Sequence, residues 1–246
     1  MKSAWLFIFF WISSSLFAET PFTPAEKNKV AQVFHGEKAC FVLKALNNPK
    51  PSLQIGKKIC QNTKASDESL LFPLAVAAVE KGLIQDDKTL FKWDGIQHPN
   101  PAWNKDQFVT DWLHHQVAWV TDRLILQMGR NHWDASLKLW NWQTPSLEQS
   151  LTTFVSSLFS GKLPVKPDAL AIAQKLFYLG KFRFGAEVWG IRGQSKTQAW
   201  FTGLIKVKNQ EWVFTTILTP SKSPEPLSGE RAQALNMDAL TQLELF

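Results

Sequence analysis

Residues 67–84 read DESLLFPLAVAAVEKGLI and determine the fold. Every residue from 70 to 79 is apolar, and Pro73 falls in the first turns, where a helix tolerates proline. Ser66 or Asp67 can cap this helix. A helix that is apolar on every face has to be buried. The stretch therefore predicts a helix at the centre of a domain.

The segments that follow this helix extend the pattern. Residues 80–84 read EKGLI, residues 91–95 read FKWDG and residues 103–106 read WNKD. Together with residues 67–73, they resemble the class D β-lactamases and related penicillin-recognising domains. In that family a Ser-Thr-Phe-Lys-Ile-Pro segment opens a buried helix ending in Glu-x-Gly-x-Ile, and Phe-Lys-Trp-Asp-Gly and Trp-x-x-Asp follow. The resemblance implies an α+β fold: an antiparallel sheet with flanking helices, plus an all-helical lobe.

The resemblance continues through the second half of the chain. Residues 147–164 contain LEQ, FV, LF and GKLP, in the order of the family's Glu-Gln, Phe-Leu, Lys-Leu and Asn-x-Leu-Pro pattern. Residues 199–203, AWFTG, resemble its Gly-Trp-aromatic-Val-Gly strand. The similarity therefore covers most of the chain after residue 18.

Residue patterns predict the other elements. Residues 39–45 and 53–60 are expected to form a hairpin, residues 106–129, 146–160 and 167–179 helices, residues 186–191, 199–206 and 211–216 strands, and residues 227–245 a closing helix. Strands at both ends of a helical middle are typical of an α+β architecture. We expect one domain over residues 19–246, with a sheet lobe at 19–66 and 181–246 and a helical lobe at 67–180.

The N-terminus has the features of a secretory signal peptide. Lys2 precedes an apolar run, and Ala18 is a small residue before polar Glu19. Cleavage near Ala18 would give a periplasmic or secreted protein without a membrane span; the alternative is an uncleaved hydrophobic anchor. The net charge of +6 comes from scattered basic residues, which does not favour nucleic-acid binding.

Cys40 and Cys60 are the only cysteines. An exported chain meets an oxidising compartment, so we expect one disulfide between them. The alternative is a pair of buried free thiols. A metal site is improbable because two thiols without a nearby histidine provide too few ligands.

The positions that should carry chemistry are altered. Serine acyl transfer needs a hydroxyl nucleophile and a neutral base on the same helix face. By the resemblance, Glu68 stands where the family has its serine, and Leu71 where it has its lysine. No serine in the chain has a lysine three residues downstream. Ser69 has Phe72 at that offset, and we expect it to be a cap or an exposed polar residue of the first turn.

The family's other two motifs are also replaced. Ser-x-Val falls on Gln116-Val117-Ala118, and glutamine has no pKa useful for relaying protons. Lys-Thr-Gly falls near Glu187-Val188-Trp189, with a register uncertainty of a residue or two, so an anion stands where the family has a cation. Residues 196–198, KTQ, resemble the third motif only by chance, because they lie in a predicted turn.

Aromatic residues are abundant, with 12 tryptophans. Five are expected to wall the former cleft: Trp112, Trp119, Trp140, Trp189 and Trp200. We favour the interpretation that these rings fill space left by the lost polar network. The alternative is an exposed aromatic platform for a glycan or a partner protein.

Two further hypotheses concern polar groups. If Glu68 and Glu187 face one cleft, the pair could hydrolyse wall glycans. His114, His115 and Asp111 do not predict a metal site, because adjacent helical residues point about 100° apart. No cofactor is implied.

The favoured interpretation is an exported class D-like protein that has lost the acylation groups and binds a periplasmic protein or a cell-wall ligand. Residual β-lactamase or penicillin-binding activity through a relocated nucleophile is the alternative.

Overall fold

A computed structural model of the chain describes residues 22–48, 50, 52–142 and 145–246. The predicted signal peptide lies outside the described residues. The helices are α1 (Pro24–Val33), α2 (Lys57–Asn62), α3 (Leu71–Glu80), α4 (Val109–His115), α5 (Ala118–Met128), α6 (Arg130–Leu139), α7 (Leu147–Phe159), α8 (Pro167–Leu176) and α9 (Gly229–Gln242). The strands are β1 (Lys38–Ala45), β2 (Leu53–Ile55), β3 (Leu90–Phe91), β4 (Gln107–Phe108), β5 (Tyr178–Lys181), β6 (Glu187–Gln194), β7 (Ala199–Val207) and β8 (Gln210–Thr219).

Six of these strands form one antiparallel sheet in the order β2-β1-β8-β7-β6-β5. Helix α9 packs on one face and α1 packs on α9, whereas α7 covers β7 and β8 from the other face. A short β3–β4 ladder lies apart from this sheet. The α+β architecture expected from the sequence is confirmed.

Helix α3 is the buried helix that the sequence predicts. All residues from Leu71 to Val79 are buried in the larger apolar core. The helix is not capped as expected, because Ser66 makes no capping hydrogen bond. A short 3-10 turn at Asp67–Leu70 leads into the helix instead.

Several predicted boundaries are wrong. The hairpin partner of β1 ends at Ile55, and Cys60 lies on α2. The helix predicted at 106–129 is broken at Gln116, whose backbone adopts the left-handed conformation (φ 51°). The helix predicted at 167–179 ends at Leu176, and the chain continues as β5 at the sheet edge. Helices α1 and α6 were not predicted.

A partly buried ion pair ties the start of β1 to α9. The Arg231 guanidinium donates hydrogen bonds to Oε1 of Glu37. Burial would raise the pKa of Glu37, but hydrogen bonds from Arg231 and from serine hydroxyls of the 221–223 loop outweigh it and lower the pKa. The carboxylate therefore stays charged and holds the final helix against the sheet.

The predicted disulfide is confirmed. Cys40 on β1 and Cys60 on α2 are bonded, with a Cα–Cα distance of 4.9 Å, and both are fully buried. The bond joins the sheet to α2, the short helix before the loop that leads into α3.

Removing this bond should destabilise the protein by about 3 kcal/mol, because a closed loop of this length restricts the unfolded chain by about that amount. Guanidinium unfolding with and without dithiothreitol would measure the effect. The matched control is Cys40→Ala/Cys60→Ala, which should resemble the reduced protein and not respond to reductant. Equal midpoints for the oxidised and reduced wild-type protein would contradict the prediction.

Candidate functional site

The segment that enters α3 does not present a free nucleophile. Ser69 is fully buried, and its hydroxyl donates a 2.5 Å hydrogen bond to the main-chain oxygen of Ser66. The expectation of a cap or an exposed polar residue at Ser69 is therefore wrong. The 3-10 turn rotates this side chain inward, where its proton satisfies the backbone.

The two residues at the family's serine and lysine positions differ in environment. Glu68 lies exposed in the 3-10 turn, and no hydrogen bond or ion pair joins its carboxylate to another described residue. Leu71 begins α3, is 5% exposed and belongs to the apolar core. In place of a hydroxyl beside an amine, this end of α3 carries a solvated carboxylate and a buried aliphatic chain.

Gln116 connects the α4–α5 junction to the outer edge of β6. In the amide orientation that satisfies both of its polar atoms, the side-chain nitrogen donates to Gln194 O at 3.3 Å. The side-chain oxygen accepts from Gln194 N at 3.0 Å. A side-chain amide therefore forms the pair of hydrogen bonds that a neighbouring strand would form. Ala118, the third residue of this motif, is exposed at the start of α5.

The other end of the same edge is covered by β5. Tyr178 pairs with Trp189 and Lys181 with Glu187, and Gly190 N donates to Phe177 O at 2.8 Å. Among the described residues, the short stretch between Gly190 and Gln194 has no neighbouring strand or amide on this side of β6. An extended ligand that pairs along β6 would have to displace one of these partners.

Arg192 projects from this stretch and is held by α9. Its guanidinium lies 3.1 Å from Glu230 Oε1 and donates to Gln233 Oε1 at 2.7 Å. It also lies 3.0 Å from Nδ1 of His114. Burial, together with the Arg192 cation, lowers the pKa of His114, so the imidazole is neutral at pH 7. No motif marks these residues; only the packing of α4 and α9 against β6 brings them together.

Two small cavities flank this cluster. One, of about 200 Å³, is mostly apolar and is lined by residues such as Leu113, Phe177 and Ile191. The other, of about 190 Å³, is polar and is lined by residues such as His115, Gln116 and Glu230. His114 and Arg192 line both cavities and separate them. Neither space is large enough for most drug-sized ligands.

Glu187 lies at the opposite end of β6 from Gln194. Tyr178 donates to its Oε1 at 3.4 Å, and partial burial together with the Glu187 charge raises the pKa of Tyr178. At about 3.3 Å per residue, Glu187 lies roughly 23 Å along the strand from Gln194. The residues of β6 beside Gln116 are Arg192–Gln194. The position expected for the third motif, Glu187–Trp189, lies at the other end of the strand. No contact among the described residues joins Glu187 to Glu68.

The five tryptophans expected to wall the former cleft are buried or half-buried. Trp112, Trp119, Trp140 and Trp200 are buried, and Trp189 is half-buried against Phe159 and Tyr178. Indole nitrogens of Trp112 and Trp119 donate to Thr121 and to Trp103 O, respectively. Burial of these rings favours the space-filling interpretation over an exposed aromatic platform. Among the described residues, no group of three or more His, Cys, Asp or Glu side chains could hold a metal ion.

Solved structures share this arrangement of sheet and helices. BPu1 β-lactamase superposes with a TM-score of 0.76 at 16% identity, covering 88% of this chain and 97% of that one. A class D β-lactamase from Bacillus subtilis superposes with a TM-score of 0.75 at 18% identity, covering 88% and 96%. The chain has the class D β-lactamase fold. The identities are low, so these structures establish the class D fold and not the activity.

The sequence relatives include a β-lactamase and a methicillin resistance protein. The β-lactamase OXA-1 of Escherichia coli is 23% identical over 97% of this chain and 96% of its own length. The methicillin resistance mecR1 protein of Staphylococcus aureus is 23% identical over 93% of this chain, which spans only 42% of that protein. No family model matches the chain.

The Gln116 contact can be tested in this class D fold by hydrogen exchange. In Gln116→Ala the amide proton of Gln194 loses its acceptor, so its exchange should accelerate at least tenfold, while the β7–β8 amides keep their protection. Amide exchange followed by NMR measures both. Gln116→Asn is the control, because asparagine tolerates the left-handed backbone but its shorter side chain should not restore protection. Unchanged exchange at Gln194 in Gln116→Ala would show that the bridge does not form.

Proposed function

We propose that this protein is an exported class D fold protein that does not acylate and that binds a ligand or partner without turning over β-lactams. The buried Ser69 hydroxyl carries the proposal, because it is the serine next to the nucleophile position and it is already bonded to Ser66 O. Acylation requires a hydroxyl that is accessible to substrate and activated by a base. Ser69 has neither property.

The positions of the family's lysine and of its second motif offer no base. The residue at the lysine position, Leu71, is aliphatic and buried. The amide of Gln116 has no useful pKa, and it is engaged by the backbone of Gln194. Neither position therefore supplies a proton acceptor, and the Ser69 hydroxyl is bonded to Ser66 O and not to the exposed Glu68 carboxylate.

The cleft is also poorly suited to an anionic β-lactam. Arg192 is the cation next to Gln116, and Glu230 already neutralises it at 3.1 Å. The edge of β6 is largely occupied by β5 and Gln116. A substrate would have to break an ion pair and displace an amide before it reached a site without a nucleophile.

The names of the relatives indicate that proteins similar to this chain differ in function. Their names include β-lactamases and a regulatory protein, BlaR1 of Staphylococcus aureus, which is 19% identical over 87% of this chain. Function has to be argued from the site and not from the fold. In this chain the buried Ser69 hydroxyl and the aliphatic Leu71 favour a binding function over catalysis.

Purified protein should neither hydrolyse nitrocefin above the buffer rate nor gain the mass of a penicillin after incubation, because Ser69, the serine beside the nucleophile position, is buried and bonded to the backbone. Absorbance kinetics and intact-protein mass spectrometry measure the two effects. An active class D β-lactamase under the same conditions is the positive control, and Ser69→Ala should behave as the wild type does. A penicillin adduct on the wild type that is absent from Ser69→Ala would overturn the proposal.

Export is the second part of the proposal, and the Cys40–Cys60 bond supports it because disulfides persist in oxidising compartments. Within the described residues, no helix has the length and apolar character needed to cross a bilayer. We expect the mature chain to begin at Glu19 in the periplasmic fraction of a Gram-negative host, as measured by N-terminal sequencing. A chain retained in the membrane with Met1 intact would contradict cleavage.

A further inference from the structure

A third cavity lies away from the cluster around Arg192. It measures about 470 Å³ and lies between α2, the loop that follows it and the β6–β7 turn. It shares no lining residue with the two cavities beside Arg192. Its polar lining includes Lys58, Asn62, Lys64, Ser66, Gln198 and Thr219. A space of this volume is in the range that binds small molecules.

The charge of this lining is positive. Lys58 and Lys64 line the cavity, and no acidic residue is among the lining residues that the structure describes. Neither lysine forms an ion pair with a described residue. The Lys64 ammonium donates one hydrogen bond, to Pro145 O at 2.8 Å, which fixes it in place and leaves two of its protons for another acceptor.

Gln198 supplies an independent reason to expect a ligand. It is 4% exposed, and no hydrogen bond joins its side-chain amide to a described residue. Its backbone is fixed by the turn, because Gln198 N donates to Ser195 Oγ at 3.2 Å and Gln198 O accepts from Ser195 N at 2.7 Å. The hydroxyl of Ser66, on the opposite wall, is also buried without a partner among the described residues.

Unpartnered polar groups are costly in a folded protein. A buried hydroxyl without a hydrogen bond destabilises the fold, and an amide at a cavity wall without a protein partner is free to bond a ligand. The buried Ser66 hydroxyl and the Gln198 amide, which has no protein partner, meet at one cavity that also carries two cations without ion pairs. A bound acceptor would satisfy the amide and offset the positive charge together.

We propose that this cavity binds an oxyanion, a phosphate or a carboxylate group, carried by a small hydroxyl-bearing molecule. Lys58 and Lys64 attract the oxyanion, and the Gln198 amide donates to it or to a neighbouring hydroxyl. The oxyanion alone is much smaller than the cavity, so the amide and hydroxyl groups of Asn62 and Thr219 contact the rest of the molecule. The site does not depend on the cleft between Gln116 and β6.

The test is an NMR titration of uniformly ¹⁵N-labelled protein with inorganic phosphate and, separately, with acetate, both at constant ionic strength set by sodium chloride. Saturable shifts are expected at the backbone amides of residues 58–66 and 197–198. Stronger binding of phosphate would indicate a phosphorylated ligand, and stronger binding of acetate a carboxylated one; both results support the site.

Matched variants separate a specific site from general attraction. Lys58→Gln/Lys64→Gln should weaken binding at least tenfold. Lys81→Gln/Lys162→Gln removes the same charge from exposed positions outside the cavity and should leave binding unchanged. Gln198→Ala should weaken binding severalfold without lowering the melting temperature, because its amide has no partner to lose.

Two outcomes would overturn the proposal. One is a set of shifts that does not saturate and follows ionic strength alone. The other is equal weakening in both double variants, with dispersed spectra that show both to be folded. Either result would mean that the lysines act only through the net charge of the protein. The nitrocefin and acylation measurements are independent of this outcome.

Discussion

Helix α3 is surrounded by other elements on every side, and this burial constrains the rest of the molecule. Nine consecutive residues, Leu71–Val79, lie in the apolar core, so the helix offers no face to solvent. A buried ammonium costs several kcal/mol unless a charged or polar partner compensates it. Once the network that would stabilise a lysine at the start of this helix is absent, an aliphatic residue is the stable alternative. Leu71 therefore contributes apolar packing to the core at the position where the family has its lysine.

At the edge of β6, contacts within the chain occupy backbone groups that could otherwise bind a ligand. Backbone groups on a sheet edge pair readily with an extended ligand. Here β5 occupies one end of the edge, and the Gln116 amide occupies the other. Arg192, between them, is committed to Glu230 and Gln233 on α9. The groups that could receive a ligand are present, but other parts of the same chain satisfy them.

The sequence predicted what depends on local composition and missed what depends on distant contacts. The all-apolar run of α3 and the two cysteines were sufficient for the central helix and the disulfide. Strand β5 could not be predicted, because residues 178–181 follow a helix and become a strand only by pairing with β6. The break at Gln116 carries no glycine or proline signal. The burial of Ser69 depends on a 3-10 turn that differs from an α-helical turn only in its hydrogen bonds. The Arg192–Glu230 pair joins two elements that are distant in the chain, and no spacing rule indicates it.

Strand β5 has one further consequence, for the behaviour of the protein in concentrated solution. It forms the outer margin of the large sheet, and a long regular margin with apolar side chains would invite neighbouring molecules to add their own strands. Tyr178 and Leu179 are partly exposed there, but the strand has only four residues, its register is irregular between Tyr178 and Gly180, and Lys181 ends it. Shortness, irregularity and a terminal charge all disfavour intermolecular pairing. The segment that covers β6 thus also protects the molecule against aggregation through its sheet.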